Sequence, residues 1–363
     1  MLILKDLARL VLLTPAMLFV LALKAFKIRL VHVDTTRLGH FFCDLNLFIQ
    51  SYGDDKDFVL WVPLNKHSIH NIDDFLPNRC KTIYSPSLSK FVGWFRHFPS
   101  MVINVTNSHT HVHDVWFFRD ILLKNRFREL TESFSSEVMF SEFKNFSTNQ
   151  THSDYIAFHW RSGWDGDKAQ SFRDTDYAVA EKFCRCFVER GHRVLNIGTK
   201  PINLMGVENP RLNEGFDETE ILKIILNASI FVGDSAGPTM VAILANKKSL
   251  IFDIFPPEIF SLNFASLFHH LKMIPKTGVD DAADLLEYYR YATYGPDLEK
   301  LGVTHSKIKP SEVKALLDEF FDLQRLGPNQ TQKLLREQFM KRFEVIREIG
   351  YPSSRLKPTY LKI

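Results

Sequence analysis

Residues 229–245 read SIFVGDSAGPTMVAILA. The apolar run Ile230-Phe231-Val232 has the character of the end of a buried strand. Gly233-Asp234-Ser235-Ala236-Gly237-Pro238 then forms a tight polar turn, and residues 239–245 resume an apolar, helix-compatible run. Strand, glycine-bearing turn and helix is the way an α/β sheet presents backbone N–H groups to an anion. Glycine lets a backbone come close to a ligand, and Pro238 suits the first turn of a helix, where its missing N–H costs nothing. The same pattern also describes an ordinary βα turn, so from chemistry alone a phosphate or sugar-phosphate site and a plain turn stand about level.

The rest of the second half extends this pattern. Residues 155–160 (YIAFHW) predict a strand, and 161–175 a long polar loop. An amphipathic helix is expected over 176–190, stopped at Gly191, a natural position just past a helix end. Residues 193–197 form a strand closed by Gly198. A helix over 217–227 has an acidic start that suits its N-terminus. A strand over 248–254 stops at Pro256-Pro257. This is a doubly wound α/β pattern, with strands ending where ligands bind.

The first half carries strands at 28–33, 58–62, 82–84 and 101–105, separated by helix-sized intervals, which predicts parallel βα units. Residues 131–153 are polar and read as the interdomain region. Beyond Leu271 the chain is expected to turn helical, with helices from Pro310 to about Leu323 and over 330–349. The resulting domain organisation is 1–27, 28–150, 151–325 and 326–363. The last is a helix and tail whose return to the N-terminal domain is left open.

At 363 residues, with 45% hydrophobic and 24% charged residues, the chain suits two globular domains. A net charge of +3 without long basic runs or an aromatic-basic platform argues against a nucleic-acid partner. The four cysteines, Cys43, Cys80, Cys184 and Cys186, lack zinc or CxxC spacing and are expected to be reduced and buried. Five Asn-x-Ser/Thr sequons, at Asn104, Asn145, Asn149, Asn227 and Asn329, are taken as coincidence.

Residues 10–23 are uncharged, with Lys5 and Arg9 before them and Lys24, Lys27 and Arg29 after. That run falls short of the roughly twenty residues that span a bilayer, and Pro15 interrupts it. A helix lying at a membrane interface fits, with cations on anionic headgroups; a helix packed on its own domain or on a partner is the alternative.

Several residues offer chemistry. Arg161, following His159-Trp160, can fork onto a diphosphate or can fix its loop through an ion pair. Asp234 and Ser235 can bind sugar hydroxyls or cap the following helix. His40, after the first strand, is a candidate general base for an acceptor hydroxyl. His109, His111 and His113 alternate and would share a face on a strand, but they lack a matching carboxylate set for a metal. Asp165-Gly166-Asp167 resembles a metal-binding DxD yet follows a polar stretch, and is read as loop.

Taken together, Arg37-Leu38-Gly39-His40, Phe158-His159-Trp160-Arg161, Arg173-Asp174-Thr175-Asp176 and Phe231-Val232-Gly233-Asp234-Ser235-Ala236-Gly237-Pro238 resemble the motifs of GT-B-type glycosyltransferases. The set is most similar to a bacterial family with IGH-like, HVRD-like and G-x-S-S-G-like motifs. Residues 217–255 also look like the sugar-nucleotide half of ADP-heptose transferases, and His159-x-Arg161 looks like a fucosyltransferase motif whose arginine holds the donor diphosphate. His159-Trp160-Arg161-Ser162 departs from HVRD, and Asp234-Ser235-Ala236-Gly237 departs from the serine pair.

The resemblance implies two facing Rossmann-like domains, a C-terminal helical segment, and transfer from a nucleotide-sugar co-substrate without metal or other cofactor. His40 and Arg161 would be catalytic. His159, Arg161, Gly198, Asp234, Ser235, Ala236, Gly237 and Pro238 would line the donor site. A glycan or lipid-linked acceptor follows from the same resemblance, and the apolar residues 1–30 would keep the enzyme at the membrane where such acceptors are made, on the cytoplasmic face of a bacterial inner membrane. A sugar-nucleotide epimerase on this scaffold and a non-catalytic membrane-tethered subunit remain rivals at this stage.

Overall fold

A computed structural model describes residues 18–19, 21–23, 25–26, 28–32, 57–62, 76, 80–84, 102–104, 153–163, 174–245, 247–254, 267–270, 272–275, 303–342 and 351–352. The chain divides into two compact units, one of Met1–His111 with Ser141–Asn145 and one of Val112–Phe140 with Phe146–Ile363. The protein is an α/β chain with parallel sheets.

The first unit holds a four-stranded sheet in the order β3-β2-β1-β4. Its strands are β1 (Arg29–His32), β2 (Phe58–Val62), β3 (Cys80–Tyr84) and β4 (Val102–Asn104). All pairs are parallel, with Val31 opposite Leu60 on one side and Ile103 on the other. The chain between successive strands is long enough for the crossover that a parallel pair requires.

The second unit is built on a sheet ordered β13-β10-β9-β8-β5-β6-β7. Its central strands are β5 (Ser153–His159), β6 (Arg193–Asn196), β8 (Ala228–Gly233) and β9 (Ser249–Ile254). The edges are β7 (Val207–Glu208), β10 (Leu267–His270) and β13 (Tyr351–Pro352). The helices are α1 (Tyr177–Glu189), α2 (Glu218–Asn227), α3 (Gly237–Leu244), α4 (Pro310–Leu326) and α5 (Gln330–Arg342).

Residues 155–161 are buried without a break, as expected of a strand covered on both faces. The two faces separate by parity. Ile156, Phe158 and Trp160 join one core with Phe183 and Phe187 of α1 and Leu316, Leu317 and Phe320 of α4. Tyr155 faces the other way, and its hydroxyl donates to the Ile224 carbonyl of α2 at 2.8 Å. His159 shares the parity of Tyr155.

Local punctuation explains where the helices begin and end. Gly191 follows α1 with φ of 80°, and its N–H bonds the Val188 carbonyl at 2.9 Å. The Asp217 carboxylate caps α2, accepting from the Thr219 and Glu220 amides at 2.9 and 3.0 Å. Cys80, Cys184 and Cys186 are buried free thiols.

One expectation changes. The stretch after Leu271 contains strands as well as helices: β11 (Lys272–Pro275) pairs antiparallel with β12 (Val303–Ser306) before α4 begins. Each is only four residues long, too short for its period to show in sequence. Within the C-terminal tail, β13 joins the second sheet, parallel to β10.

Candidate functional site

In the second sheet the chain runs from β5 to β6 and β7 on one side, then returns to place β8 on the other side of β5. The loops leaving β5 and β8 therefore diverge, and the C-terminal ends of these two strands form a topological switch point. Ligands of open α/β sheets bind at such points. His159 lies opposite Gly233 in the last rung of the β5–β8 pair. Arg161 and Asp234 follow within two residues, so the switch point carries a histidine, an arginine and an aspartate.

Asp234 is the hub. It is fully buried. Its Oδ1 lies 3.1 Å from His159 Nδ1. Its Oδ2 accepts from the Arg161 amide at 2.6 Å and from the Thr175 hydroxyl at 2.8 Å. A buried carboxylate is tolerable only when such donors replace water. The expected helix cap is absent: the N-cap of α3 is Ala236, and no side chain caps it. Asp234 instead closes the turn through its backbone, its carbonyl accepting from the Thr239 hydroxyl and from the Ala236 amide.

Arg161 is buried too, with Nε 3.0 Å from Asp174 Oδ1 in an ion pair off the linear hydrogen-bond geometry. The loop-fixing ion pair weighed from the sequence is therefore present. Asp174 also accepts from the Gly163 amide at 3.0 Å through Oδ2, and the Thr175 amide donates to the Arg161 carbonyl at 2.7 Å. The two ends of the β5–α1 connection are thus tied to each other and to Asp234. Lys307 reaches in from the segment before α4, donating to the Asp174 carbonyl. Asp253 steadies that segment by accepting from the Ile308 amide at 2.9 Å; it adopts a φ of 48°, unusual for a residue other than glycine.

The loop after β6 is stitched to the same edge. The Thr199 hydroxyl accepts from the Ser162 amide at 2.9 Å, and the Thr199 amide donates to the Trp160 carbonyl at 3.1 Å. Behind it, Asn196 Oδ1 accepts from the Gly198 amide, and Asn196 Nδ2 donates to Asn209 Oδ1 and the Lys200 carbonyl. A Cβ on Gly198 would sit 2.3 Å from Trp160 Cδ1 and 2.6 Å from Nε1. The close approach that requires glycine there is to the protein's own indole, whose N–H is buried without a partner. A Cβ on Gly233 would likewise meet the Phe231 ring at 2.7 Å.

The structure brings His159, Arg161 and Asp234 together, with Gly198 adjoining through Trp160. Ser235 and Ala236 are buried in the turn, and Gly237 and Pro238 open α3. His40, the alternating histidines His109, His111 and His113, and Asp165-Gly166-Asp167 lie outside the described residues. Asp174 and Thr175 were missed as functional positions. Their signal was the Arg173-Asp174-Thr175-Asp176 motif, which carried a resemblance without a role. Among the described residues, no group of three or more His, Cys, Asp or Glu side chains is arranged to hold a metal ion.

No family model matches the chain, and no curated protein does. Solved structures are similar to it at low identity. The dodecameric iron-containing heptosyltransferase TibC of enterotoxigenic E. coli, in complex with ADP-D-β-D-heptose, is 14% identical with a TM-score of 0.47, over 83% of this chain and 79% of that one. The E. coli heptosyltransferase WaaC with ADP is 9% identical with a TM-score of 0.42, over 80% and 99%. A glycosyl transferase family 9 protein of Veillonella parvula is 10% identical with a TM-score of 0.39, over 81% and 97%.

Proposed function

We propose that the chain is a GT-B glycosyltransferase that moves a sugar from a nucleotide-sugar donor to a glycan or lipid-linked acceptor in bacterial surface polysaccharide or lipopolysaccharide assembly. One observation carries this: the switch point between β5 and β8 bears a glycine-flanked turn that opens α3, and Arg161 stands on the neighbouring strand end. A helix start and an arginine together suit the diphosphate of a nucleotide-sugar. The motif resemblance supplies the choice of sugar transfer among reactions of nucleotides.

In this reading the donor lies on the second unit. The positive end of the α3 dipole and the Arg161 guanidinium, its plane fixed by Asp174 on Nε, offset the charge that develops as the diphosphate departs. Fixed dipoles and a cation take the place of a metal ion. Asp234 contributes by holding its neighbours, since its buried carboxylate already has three partners. The first unit receives the acceptor, with His40 as the base for its hydroxyl.

Residues 1–30 attach the enzyme to the cytoplasmic face of the inner membrane. Leu18, Phe19, Leu21 and Phe26 are exposed in the partly helical stretch there, among Lys24, Lys27 and Arg29. Apolar side chains flanked by cations suit an interfacial helix. No helix of the described residues is long and apolar enough to cross a membrane. Flotation with anionic vesicles checks this attachment, and equal flotation of a chain lacking residues 1–27 would end it.

The donor site is tested by thermal shift of the purified chain with UDP, GDP, ADP, CMP and CDP, with and without a divalent ion. One nucleotide class should stabilise the protein, the effect should survive chelation, and Arg161→Ala should weaken it. Stabilisation by none of them counts against a donor site at β5–β8. Full transfer and donor affinity in Arg161→Ala would remove the clamp.

A further inference from the structure

A planar guanidinium serves a diphosphate best when its orientation is fixed in advance. Asp174 supplies part of that fixing for Arg161, with Oδ1 3.0 Å from Nε. Asp174 itself lies in neither strand nor helix, so its own position is set by its contacts. Two contacts close the β5–α1 connection on itself: Asp174 Oδ2 accepts from the Gly163 amide at 3.0 Å, and the Thr175 amide donates to the Arg161 carbonyl at 2.7 Å. A further contact comes from outside the connection. The Lys307 ammonium donates to the Asp174 carbonyl across 133 positions of sequence.

We propose that Lys307 is a positioning residue for the donor site: by holding the Asp174 carbonyl it sets the Asp174 carboxylate against Arg161 Nε, and so fixes the guanidinium for the diphosphate of the nucleotide-sugar. This rests on the donor-site reading above and deepens it, because it makes the segment ahead of α4 part of the clamp.

Lys307 can act as an anchor because its own backbone is held on both sides. Ser306 before it ends β12 and lies opposite Lys272 of β11. Ile308 after it is 3% exposed in the core, and its amide donates to Asp253 Oδ1 at 2.9 Å. Asp253, near the end of β9, has a φ of 48°, a conformation that costs free energy and persists where the surroundings hold it. The Lys309 amide then donates to Glu312 Oε2 at 2.8 Å as α4 begins, and α4 packs Leu316, Leu317 and Phe320 into the core. An ammonium on a carbonyl is a charge-assisted bond, stronger than a neutral one. The contacts Asp253–Ile308, Lys307–Asp174 and Asp174–Arg161 therefore run from the end of β9 to the arginine without a gap longer than one residue of backbone. A clamp supported in this way keeps its geometry before the ligand arrives, which is where small misplacements are costly.

A double-mutant cycle on the full chain tests this, by isothermal titration with whichever of UDP, GDP, ADP or CDP binds the wild type. Lys307→Met keeps most of the side-chain stem and removes the ammonium. It should weaken binding roughly three- to tenfold. In an Arg161→Ala background the same change should weaken binding by less than about twofold, because Lys307 acts through the guanidinium. Lys307→Gln replaces the methionine variant in the cycle where that one does not fold. Lys307→Arg restores a charged donor and should bind more tightly than Lys307→Met; it decides the case where Arg161→Ala binds too weakly to titrate. Equal losses in the two backgrounds would overturn the proposal, since Lys307 would then act without Arg161. Wild-type affinity in Lys307→Met, or no recovery in Lys307→Arg, would overturn it as well. Each of these leaves the donor site standing. No nucleotide binding by the wild type would remove the donor site and, with it, this role for Lys307.

Discussion

Strand β8 has a buried charge beyond each of its ends, and the two are held in different ways. At the C-terminal end, Asp234 gathers a histidine, a backbone amide and a threonine hydroxyl from the neighbouring strand end and the loop that follows it. At the N-terminal end, Lys247 runs back along the strand and donates its ammonium to the carbonyls of Leu226, in the last turn of α2, and Ala228, the first residue of β8. The lysine complements carbonyls at a helix end, which is the work of a cation there. The aspartate ties together loops that are far apart in sequence. One charge completes a strand–helix junction; the other organises an edge where a ligand can bind. A buried charge in a parallel sheet thus takes its meaning from the end of the strand on which it lies.

Removing the carboxylate should have the largest effect. Asp234→Ala strips the shared acceptor from three buried partners and should cost on the order of 3–5 kcal/mol in urea denaturation. Nucleotide stabilisation should disappear with it. If the loss is under 1 kcal/mol, Asp234 is not the hub and the contrast with Lys247 fails.

Gly198→Ala should come next. The added methyl group would lie 2.3 Å from Trp160 Cδ1 and 2.8 Å from the Trp160 carbonyl, so the β5 and β6 loops must part. Overpacking of this kind costs about 1–3 kcal/mol. A variant as stable as the wild type would mean that the indole can swing away, leaving Gly198 free to serve a ligand instead.

Thr175→Val is nearly isosteric and removes one donor from Asp234 Oδ2, for about 1 kcal/mol. It should loosen the neck of the β5–α1 connection while leaving the ammonium end untouched. Hydrogen exchange should show this as faster exchange at the Thr175 and Arg161 amides, with no change near Lys247.

This contrast also marks what the sequence could reveal. Strands 29–32, 58–62, 193–196 and 249–254 stood out because apolar runs and turn residues are local signals. Pro238, Gly191 and Asp217 marked helix ends for the same reason. The β5–β8 edge was legible as a place, since His159, Arg161 and Asp234 each follow an apolar strand. Its wiring was not, because Asp234 meets Arg161 across 73 positions and Thr175 across 59. Nothing in the local sequence distinguishes a carboxylate that points into such a cluster from one that caps the next helix. Lys247 carried no sequence signal for a related reason: it stands beside a second lysine, and only the fold leaves Lys248 exposed and Lys247 buried. The β11–β12 pair was missed because each strand is four residues long and its partner is distant.

The smallest expected effect at neutral pH is at Lys247 itself. Burial pushes its ammonium down to about 8, from an ordinary value near 10.4. Between these values the unfolded chain binds more protons than the folded one, so stability should rise with pH over that window and be level below it. Tyr155 acts in the opposite sense. Burial pushes its phenol up to about 12, so its contribution is lost as pH climbs from 10 towards 12. Burial also pushes the Cys184 thiol up, so its contribution falls as pH rises past the ordinary thiol range; the lysine is therefore isolated by the difference between wild type and a Lys247 variant over pH 7 to 10. Lys247→Met fills the same space without the charge and should change stability by no more than about 1 kcal/mol at pH 7, because replacing a buried charge by an apolar group is often neutral or stabilising. Wild-type stability should gain on that of the variant from pH 8 to 10, by on the order of 1 kcal/mol. Nucleotide-induced stabilisation should be the same in both proteins throughout. Parallel pH curves would show that the ammonium is not desolvated at the strand's N-terminal end. A nucleotide response that changes with Lys247 would break the separation between the two ends of β8.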